Sequence, residues 1–403
     1  MGDCITPSQI SDFANKDINR IIGKVAGVLA RKSPYMDVLD GGTLPNVSDV
    51  VRSVVQERAV LGTSLALPVF TPDIQMCAGP VNQGQVGSTE YSFQLESLRG
   101  QGPRVCVKTS RTAFTGSYMQ AQVSLEKGIL QIMNSDIRAQ LQVRSGVKFV
   151  VNTNYGFGTL LTGDSQAINT KFLAGVTPNA PLSFKIVYKL GAFLIEEMLA
   201  EPFTNNNVGE MLKFIGSPEI IEKFRQELDI KEDLRAMTTG QYKDGKTGLT
   251  GYTWEGPYRG IGFGRDSQPL RFATMTNGVP NFIEPEIAVQ STRGVAARRN
   301  PAWVTAPYEV AFLMAPESFK RLVPEQYTGE GTFKFSPQLS MGELKWHYQL
   351  DNDCNRFGDF GQHIYQIARA YQPVRPQNVI PIVYQRCAFD LGTATCDSTA
   401  TGL

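Results

Sequence analysis

The chain's most informative stretch is PYEVAFLMAPESF, residues 307–319. The run from Tyr308 to Met314 is almost continuously apolar, which predicts a β-strand. The pair Pro316-Glu317 predicts a short helix after it. Further strands are predicted at residues 343–348, 363–371 and 379–384, with Pro373 and Pro376 separating the last two. The last third of the chain is therefore mainly β-structure.

Apolar residues at three- and four-residue intervals predict helices upstream of this stretch. One covers residues 8–31 and is followed by an extended segment rich in turn-forming residues, so we expect it to form a detached arm. Another covers residues 117–144 and could be the spine of a lobe. Ser217-Pro218-Glu219 is a typical helix start. Between these helices we expect strands at residues 148–153 and 182–188 and an apolar helix at 190–199.

Alternating apolar residues at 88–111 predict a long β-hairpin, with its turn at residues 99–103. The apolar side chains of this hairpin are Tyr91, Phe93, Leu95, Val105 and Val107. A two-stranded hairpin is marginally stable in water by itself. We therefore expect this apolar face to lie on another part of the molecule or on another copy of it.

Composition narrows the classes of function. The 403 residues carry 39 Lys plus Arg against 38 Asp plus Glu, for a net charge of +1. This balance argues against a protein that mainly neutralises nucleic-acid phosphates. No apolar run approaches the ~20 residues of a membrane-spanning helix. The six cysteines contain no CxxC pair, which indicates free thiols.

Residues 240–247 match the phosphate-loop pattern G-x-x-x-x-G-K-[ST] letter for letter. That chemistry requires a buried strand before the loop and a helix after it. The charged residues 231–235 cannot be a buried strand, and the glycine-containing residues 248–251 are a poor helix. A surface loop is the favoured interpretation, and a nucleotide-binding enzyme is kept as a less favoured alternative.

Two further patterns give no metal site. Residues 351–355 begin like a calcium loop, but Arg356 replaces the glycine of the sharp turn and Gln362 replaces the bidentate glutamate, so a polar turn is favoured. His347 and His363 lie on separate predicted strands without ligand spacing. We expect no catalytic residue, no cofactor and no bound metal.

The order of arm, hairpin, spine helix and glycine-rich loops resembles that of the major capsid proteins of tailed bacteriophages. Their fold is shared with encapsulins and the herpesvirus capsid floor. The local similarity is strongest at residues 307–319 and 351–386, the latter including Arg356-Phe357-Gly358-Asp359-Phe360-Gly361. The first two thirds match by order of elements only. The resemblance implies an α+β fold with an arm, an extended hairpin loop, a peripheral domain and an axial domain.

The resemblance also implies a domain organisation. We expect an N-terminal arm at 1–48, an extended-loop region at 49–118, a peripheral domain with the spine helix at 119–190, a mainly axial domain at 191–339, and closing strands with a C-terminal tail at 340–403. The implied function is a non-enzymatic shell of hexamers and pentamers, icosahedral and enclosing double-stranded DNA. An encapsulin-like protein compartment is the alternative.

The resemblance implies portal, scaffolding and decoration proteins as partners, no membrane, and a place in the virion capsid after assembly in the host cytoplasm. The hairpin would contact a neighbouring subunit. The arm's stripe of Lys16, Arg20 and Lys24 would face packaged DNA, and an ordinary solvated helix face is an equal alternative. The tail at 388–403 has the composition of a disordered end, so we expect contacts with a neighbouring subunit or an accessory protein to order it.

Overall fold

A computed structural model provides the three-dimensional structure, and in some strands it describes the backbone alone. The described residues are 34–35, 39–44, 51–56, 88–93, 95–106, 128–129, 131–153, 158–162, 178–205, 209–227, 254–258, 260–276, 279–291, 294–324, 344–351, 360–386, 389–390 and 393–394.

The first half contains β1 (Asp40–Leu44), β2 (Val51–Gln56), β3 (Ser88–Phe93), β4 (Glu96–Cys106), α1 (128–129 and 131–144), β5 (Val147–Val150), β6 (Thr159–Thr162), α2 (Phe184–Glu196), β7 (Phe203–Asn205), β8 (Gly209–Gly216) and α3 (Pro218–Glu227). The second half contains β9 (Trp254–Tyr258), β10 (Ile261–Arg265), β11 (Leu270–Thr276), β12 (Val279–Phe282), β13 (Glu286–Ser291), β14 (Gly294–Arg299), α4 (Pro301–Val304), β15 (Tyr308–Met314), β16 (Phe319–Pro324), β17 (Leu344–Asp351), β18 (Phe360–Pro373), a 3-10 turn (Pro376–Asn378), β19 (Val379–Gln385), β20 (Phe389–Asp390) and β21 (Thr393–Ala394).

Strand β15, the apolar stretch at residues 308–314, lies in the middle of a ten-stranded sheet. It pairs antiparallel with β19 along its whole length, from Tyr308 opposite Gln385 to Met314 opposite Val379. On the other edge it pairs with β8 and β11. From residue 309 to residue 314 the strand is buried without a break. A near-continuous apolar run is what a strand covered on both faces requires.

Two hydrophobic clusters cover the two faces of this sheet. Ala311 and Leu313 of β15 pack in one cluster with residues of α2 and α3. Val310 and Phe312 point the other way, into a second cluster that contains Ile137 of α1. Because successive side chains of a strand alternate between faces, β15 contributes to both clusters at once. The spine helix therefore covers one face and the pair α2 and α3 covers the other.

A second, five-stranded sheet is organised around the long strand β18. Strand β4 pairs antiparallel with one edge of β18, from Glu96 opposite Arg369 to Cys106 opposite Phe360. Strand β18 also pairs antiparallel with β17 along residues 360–367 and with β16 along residues 370–373. Strand β1 runs parallel to β16. Tyr371 of β18 and Phe319 of β16 belong to the second core cluster, which joins this sheet to the central one.

Three helix predictions are confirmed in the described residues. Residues 131–144 of the expected spine helix are helical. Helix α3 begins at Pro218, and the Ser217 hydroxyl accepts a hydrogen bond from the Ile220 amide at 3.3 Å. The helix expected at 190–199 is present as α2 but starts earlier, at Phe184. The strand predicted at 182–188 is therefore wrong, because its alternating apolar residues also fit the buried stripe of a helix. The expected domain boundary after residue 190 falls inside α2.

The helix predicted at residues 316–317 and the turn predicted at residues 99–103 are also wrong. Pro316-Glu317 forms a turn rather than a helix, with Glu317 at φ 58°, and strand β16 follows from Phe319. Pairing of β16 with β1 and β18 outweighs the local helix signal. The turn predicted at 99–103 lies inside the continuous strand β4. Strand β18 holds these glycine-rich residues extended by main-chain pairing. In the described residues β3 pairs with β2 and not with β4.

Candidate assembly site

Glu96 lies where strand β4 joins the body of the molecule, and it takes part in an ion-pair junction between three elements. Arg369 of β18 donates from Nε to Asp136 Oδ2 of helix α1 at 2.6 Å. Its two terminal nitrogens donate to the other oxygen of Asp136 and to Glu96. The guanidinium therefore bridges a strand and a helix that lie far apart in sequence.

Two further side chains complete this junction. Tyr371 donates its hydroxyl proton to Asp136 at 3.2 Å. Arg144 contacts Glu96 with its Nη2 at 3.4 Å and donates from Nη1 to the Tyr371 carbonyl at 3.3 Å. We call Glu96, Asp136, Arg144, Arg369 and Tyr371 the junction cluster.

Burial and charge act in opposite directions on Arg369. Burial lowers its pKa, but the hydrogen bonds and negative charge of Asp136, together with Glu96, outweigh burial and raise the pKa above its ordinary value. Burial raises the pKa of Tyr371 above the ordinary tyrosine range. Arg369 is therefore a permanent cation and Tyr371 a neutral hydrogen-bond donor at every pH at which the protein would work.

The junction cluster fixes the direction in which β4 leaves the body. Beyond Glu96, the side chains of Ser97, Leu98 and Arg99 are exposed, and Leu98 shows 48% of its surface to solvent. On β18 the residues at 367–371 are buried and those at 364–366 are only half-buried. The paired strands β4 and β18 therefore become more exposed as they lead away from the core. Arg369 lies at their buried end.

The predicted hairpin residues are partly covered by their own chain. Phe93 is buried, and it forms a small cluster with Leu322 and Ala370, against which Leu95 packs. Of the two covers expected for this apolar face, another part of the molecule or another copy, the chain's own β16 and β18 supply the cover of Phe93 and Leu95. Sequence alone could not show this, since the covering residues come from more than 200 positions downstream.

The remaining candidate residues are less fully described. Tyr91 lies in β3 and Val105 in β4, where the backbone alone is described. Val107 and the arm residues Lys16, Arg20 and Lys24 lie outside the described residues. The contacts proposed for them, with a neighbouring subunit and with DNA, stay predictions.

A second buried polar network stabilises the central sheet. Glu309 of β15 is fully buried and accepts from Arg271 Nε at 2.7 Å. The Tyr384 hydroxyl donates to the same carboxylate, and burial together with the Glu309 charge raises the pKa of Tyr384. Arg271 also lies over the Trp303 ring at 3.8 Å. Such a network tolerates burial because each charge has a partner.

The motifs considered for chemistry give no active centre in the part of the chain that is described. The loop at 240–247 and residues 352–359 lie outside it. His347 is opposite Ile364, and His363 is opposite Tyr348, on the neighbouring strands β17 and β18. Among the described residues no group of three or more His, Cys, Asp or Glu side chains could hold a metal ion. No described helix is long and apolar enough to cross a membrane.

No local sequence pattern predicts the junction cluster. Glu96, Asp136 and Arg369 are separated by 40 residues or more, and only folding brings them together. A weak signal exists for Arg369, because a charge interrupts the apolar run of residues 367–371 on a predicted strand. A charge at an inward position of a strand indicates an ion pair.

Comparison with known proteins gives a fold. No protein-family model and no curated protein sequence matches the chain. Among solved structures, the capsid of Ralstonia phage GP4 matches over 88% of this chain and 92% of that chain, with a TM-score of 0.52 at 12% identity. The Cyanophage Pam1 capsid matches over 90% and 94%, with a TM-score of 0.50 at 10% identity. The chain has the α+β fold of these tailed-phage capsid structures.

Proposed function

We propose that the chain is the major capsid protein of a tailed bacteriophage. Copies would assemble into hexamers and pentamers and close an icosahedral shell around double-stranded DNA. The likeness in fold to the two phage capsid structures carries this proposal, because it extends over about nine tenths of both chains. The role is structural and not enzymatic.

The junction cluster supports the proposal mechanically. A shell subunit has to present extended segments to its neighbours at a fixed angle, since closed symmetry tolerates little variation in direction. Arg369 ties the base of β4 to the spine helix through Asp136. The exposed Leu98 and Arg99 then stand on a strand with a defined orientation. We propose that this part of β4 contacts a neighbouring subunit.

The other parts of the proposal concern partners. DNA would be contacted without sequence specificity, with Lys16, Arg20 and Lys24 as candidate residues. Portal, scaffolding and decoration proteins would complete the particle, assembled in the host cytoplasm. The protein-filled compartment of the encapsulin type remains the alternative, and the contents of the particle separate the two.

Expression of the full chain, with and without the proteins encoded beside it, tests the function. We expect closed particles of uniform diameter by electron microscopy, and nuclease-protected double-stranded DNA in particles from infected cells. Particles that contain protein cargo and no DNA would favour the compartment. A chain that stays monomeric in every combination would contradict the shell function.

The exposed part of β4 is tested by Leu98→Lys, with Lys320→Glu on the exposed side of β16 as the control. Point substitution is preferable to deletion of residues 94–108, because deletion also removes Glu96 from the junction cluster. We expect Leu98→Lys to leave a folded subunit that assembles poorly. Normal assembly of this variant would contradict the intersubunit role of β4.

A further inference from the structure

Helix α2 and Leu199 just beyond it expose apolar side chains that the described part of the chain leaves uncovered. Tyr188 and Ile195 are exposed, and Leu199, just after the helix, shows 54% of its surface. Tyr188, Ile195 and Glu196 line one side of a groove that runs along the helix. We call Tyr188, Ile195, Glu196 and Leu199 the helix-end face. The opposite side of α2 is buried in the core.

Leu199 is held in a backbone conformation that suits glycine. Its φ is 51°, in the left-handed region, where a Cβ atom is sterically unfavourable. Just beyond the helix, the Ala200 amide donates to the Leu194 carbonyl at 2.9 Å. A leucine here costs backbone strain and places an apolar side chain in water, so the isolated subunit gains nothing from it.

The charges at this helix end are also unfavourable in the isolated subunit. Glu196 and Glu197 lie at the negative end of the helix dipole, and the last turn contains no basic residue. Glu201 follows and is exposed as well. A cation supplied from outside would stabilise this end, while an apolar surface would cover Ile195 and Leu199.

The hairpin of β13 and β14 offers such a surface. In the described residues these two strands pair only with each other. Ile287 is directly opposite Arg298, so both lie on one face, and Val289 lies on the same face two positions along. Ile287 and Arg298 are exposed. We call Ile287, Val289 and Arg298 the hairpin face.

The other face of this hairpin has its charges balanced internally. Glu286 is directly opposite Arg299, and the Arg299 guanidinium lies over the Trp303 ring at 4.8 Å. Among the described hairpin residues, Arg298 is therefore the cation that lies beside apolar residues. The hairpin face matches the helix-end face in kind, since each combines apolar groups with a charge of opposite sign.

The two faces lie at opposite ends of strand β15. The hairpin leads through α4 into the first residue of β15, Tyr308. Helix α2 ends at the other end of the strand, where Glu201 and Phe203 share a pocket with Pro316. Seven strand residues span roughly 20 Å. Complementary faces separated in this way cannot meet within one copy, and a contact between them is head-to-tail, the kind that closes into rings.

We propose that the helix-end face of one copy docks on the hairpin face of the next copy of this chain. Leu199 and Ile195 cover Ile287, and Glu196 pairs with Arg298. This inference rests on the proposed shell function and names two faces that join neighbouring subunits within a ring. The strained Leu199 is then explained, because its side chain is buried only on assembly.

Charge reversal tests the pairing in the full-length protein. Arg298→Glu and Glu196→Arg should each lower the yield of rings or shells about tenfold or more at fixed protein concentration, because each places like charges together. The double variant Arg298→Glu/Glu196→Arg should recover most of the yield. Lys320→Glu, with the same change in net charge as Arg298→Glu, should assemble like the wild type.

Leu199→Gly separates assembly from folding. Glycine relieves the left-handed strain, so the thermal midpoint of the unassembled subunit should stay the same or rise while the ring or shell yield falls. A purely structural role for Leu199 predicts that both quantities change in the same direction. If the wild type assembles and the charge variants assemble equally well, the proposed contact is wrong while the shell function stands. If the wild type forms neither rings nor shells with its partner proteins, the shell function itself fails.

Discussion

The Arg369–Asp136 pair should couple the closing strand to the spine helix by about 1–2 kcal/mol. The side chains of Arg369 and Asp136 are 11% and 26% exposed. Loss of one partner costs about 3–5 kcal/mol for a fully buried pair and at most about 1 kcal/mol for a surface pair. Since this pair lies between the two cases, Asp136→Ala should lower the free energy of unfolding by about 2 kcal/mol.

Urea unfolding of the unassembled subunit measures this effect. The single variants Asp136→Ala and Arg369→Ala are compared with the double variant, so that the interaction energy is separated from lost packing. The exposed pair Arg375 and Glu317, with a 3.6 Å separation between Nη1 and Oε2, serves as the matched control and should show no measurable coupling. If the Arg369–Asp136 cycle also gives zero coupling, the bridging role of Arg369 is refuted.

Three further perturbations follow from the same structure. Burial lowers the pKa of Lys148 to about 7, while the unfolded chain keeps a value near 10.5. Because the unfolded state binds more protons between these values, the free energy of unfolding should rise from pH 7 to pH 9, by at most about 1.4 kcal/mol per pH unit. The variant Lys148→Met should lack this pH dependence, and a variant with the wild-type slope would contradict the assignment to Lys148. Glu309→Gln should lower the free energy of unfolding by about 3 kcal/mol, because it leaves the buried charge of Arg271 without its main partner. An effect no larger than that of Glu219→Gln would show that the charge of Glu309 is dispensable. Truncation after Arg386 should leave subunit folding intact and lower the melting temperature of the particle, because we propose that the tail lies on a neighbouring subunit or an accessory protein. Equal melting temperatures of intact and truncated particles would exclude that role.

Local signals were reliable where burial and periodicity agreed. The largely apolar run at 308–314 predicts a strand, and the structure buries that strand from residue 309 to residue 314. The start of α3 follows from Ser217 and Pro218, whose hydroxyl and fixed φ satisfy a helix end without help from the rest of the chain. These features depend on neighbouring residues only, so the sequence alone predicts them.

Local signals failed where distant pairing was stronger than local preference. Residues 99–103 contain two glycines and a proline, a typical turn composition, yet β18 holds them extended along its edge. Pro316-Glu317 starts a turn because the following residues pair with β1 and β18. Main-chain hydrogen bonds to a distant strand add up along its length, whereas a turn or cap preference contributes only once.

The sequence by itself determined the class of the fold: an apolar strand, a long amphipathic helix, closing strands separated by prolines, and a balanced charge. Only the tertiary structure decided which charges meet. Arg369 reaches Asp136 and Glu96 across 233 and 273 positions, and no spacing rule connects residues so far apart. Hydrophobic periodicity is a local property that each segment carries with it, whereas an ion pair depends on the distance between two side chains, and that distance exists only once the chain has folded.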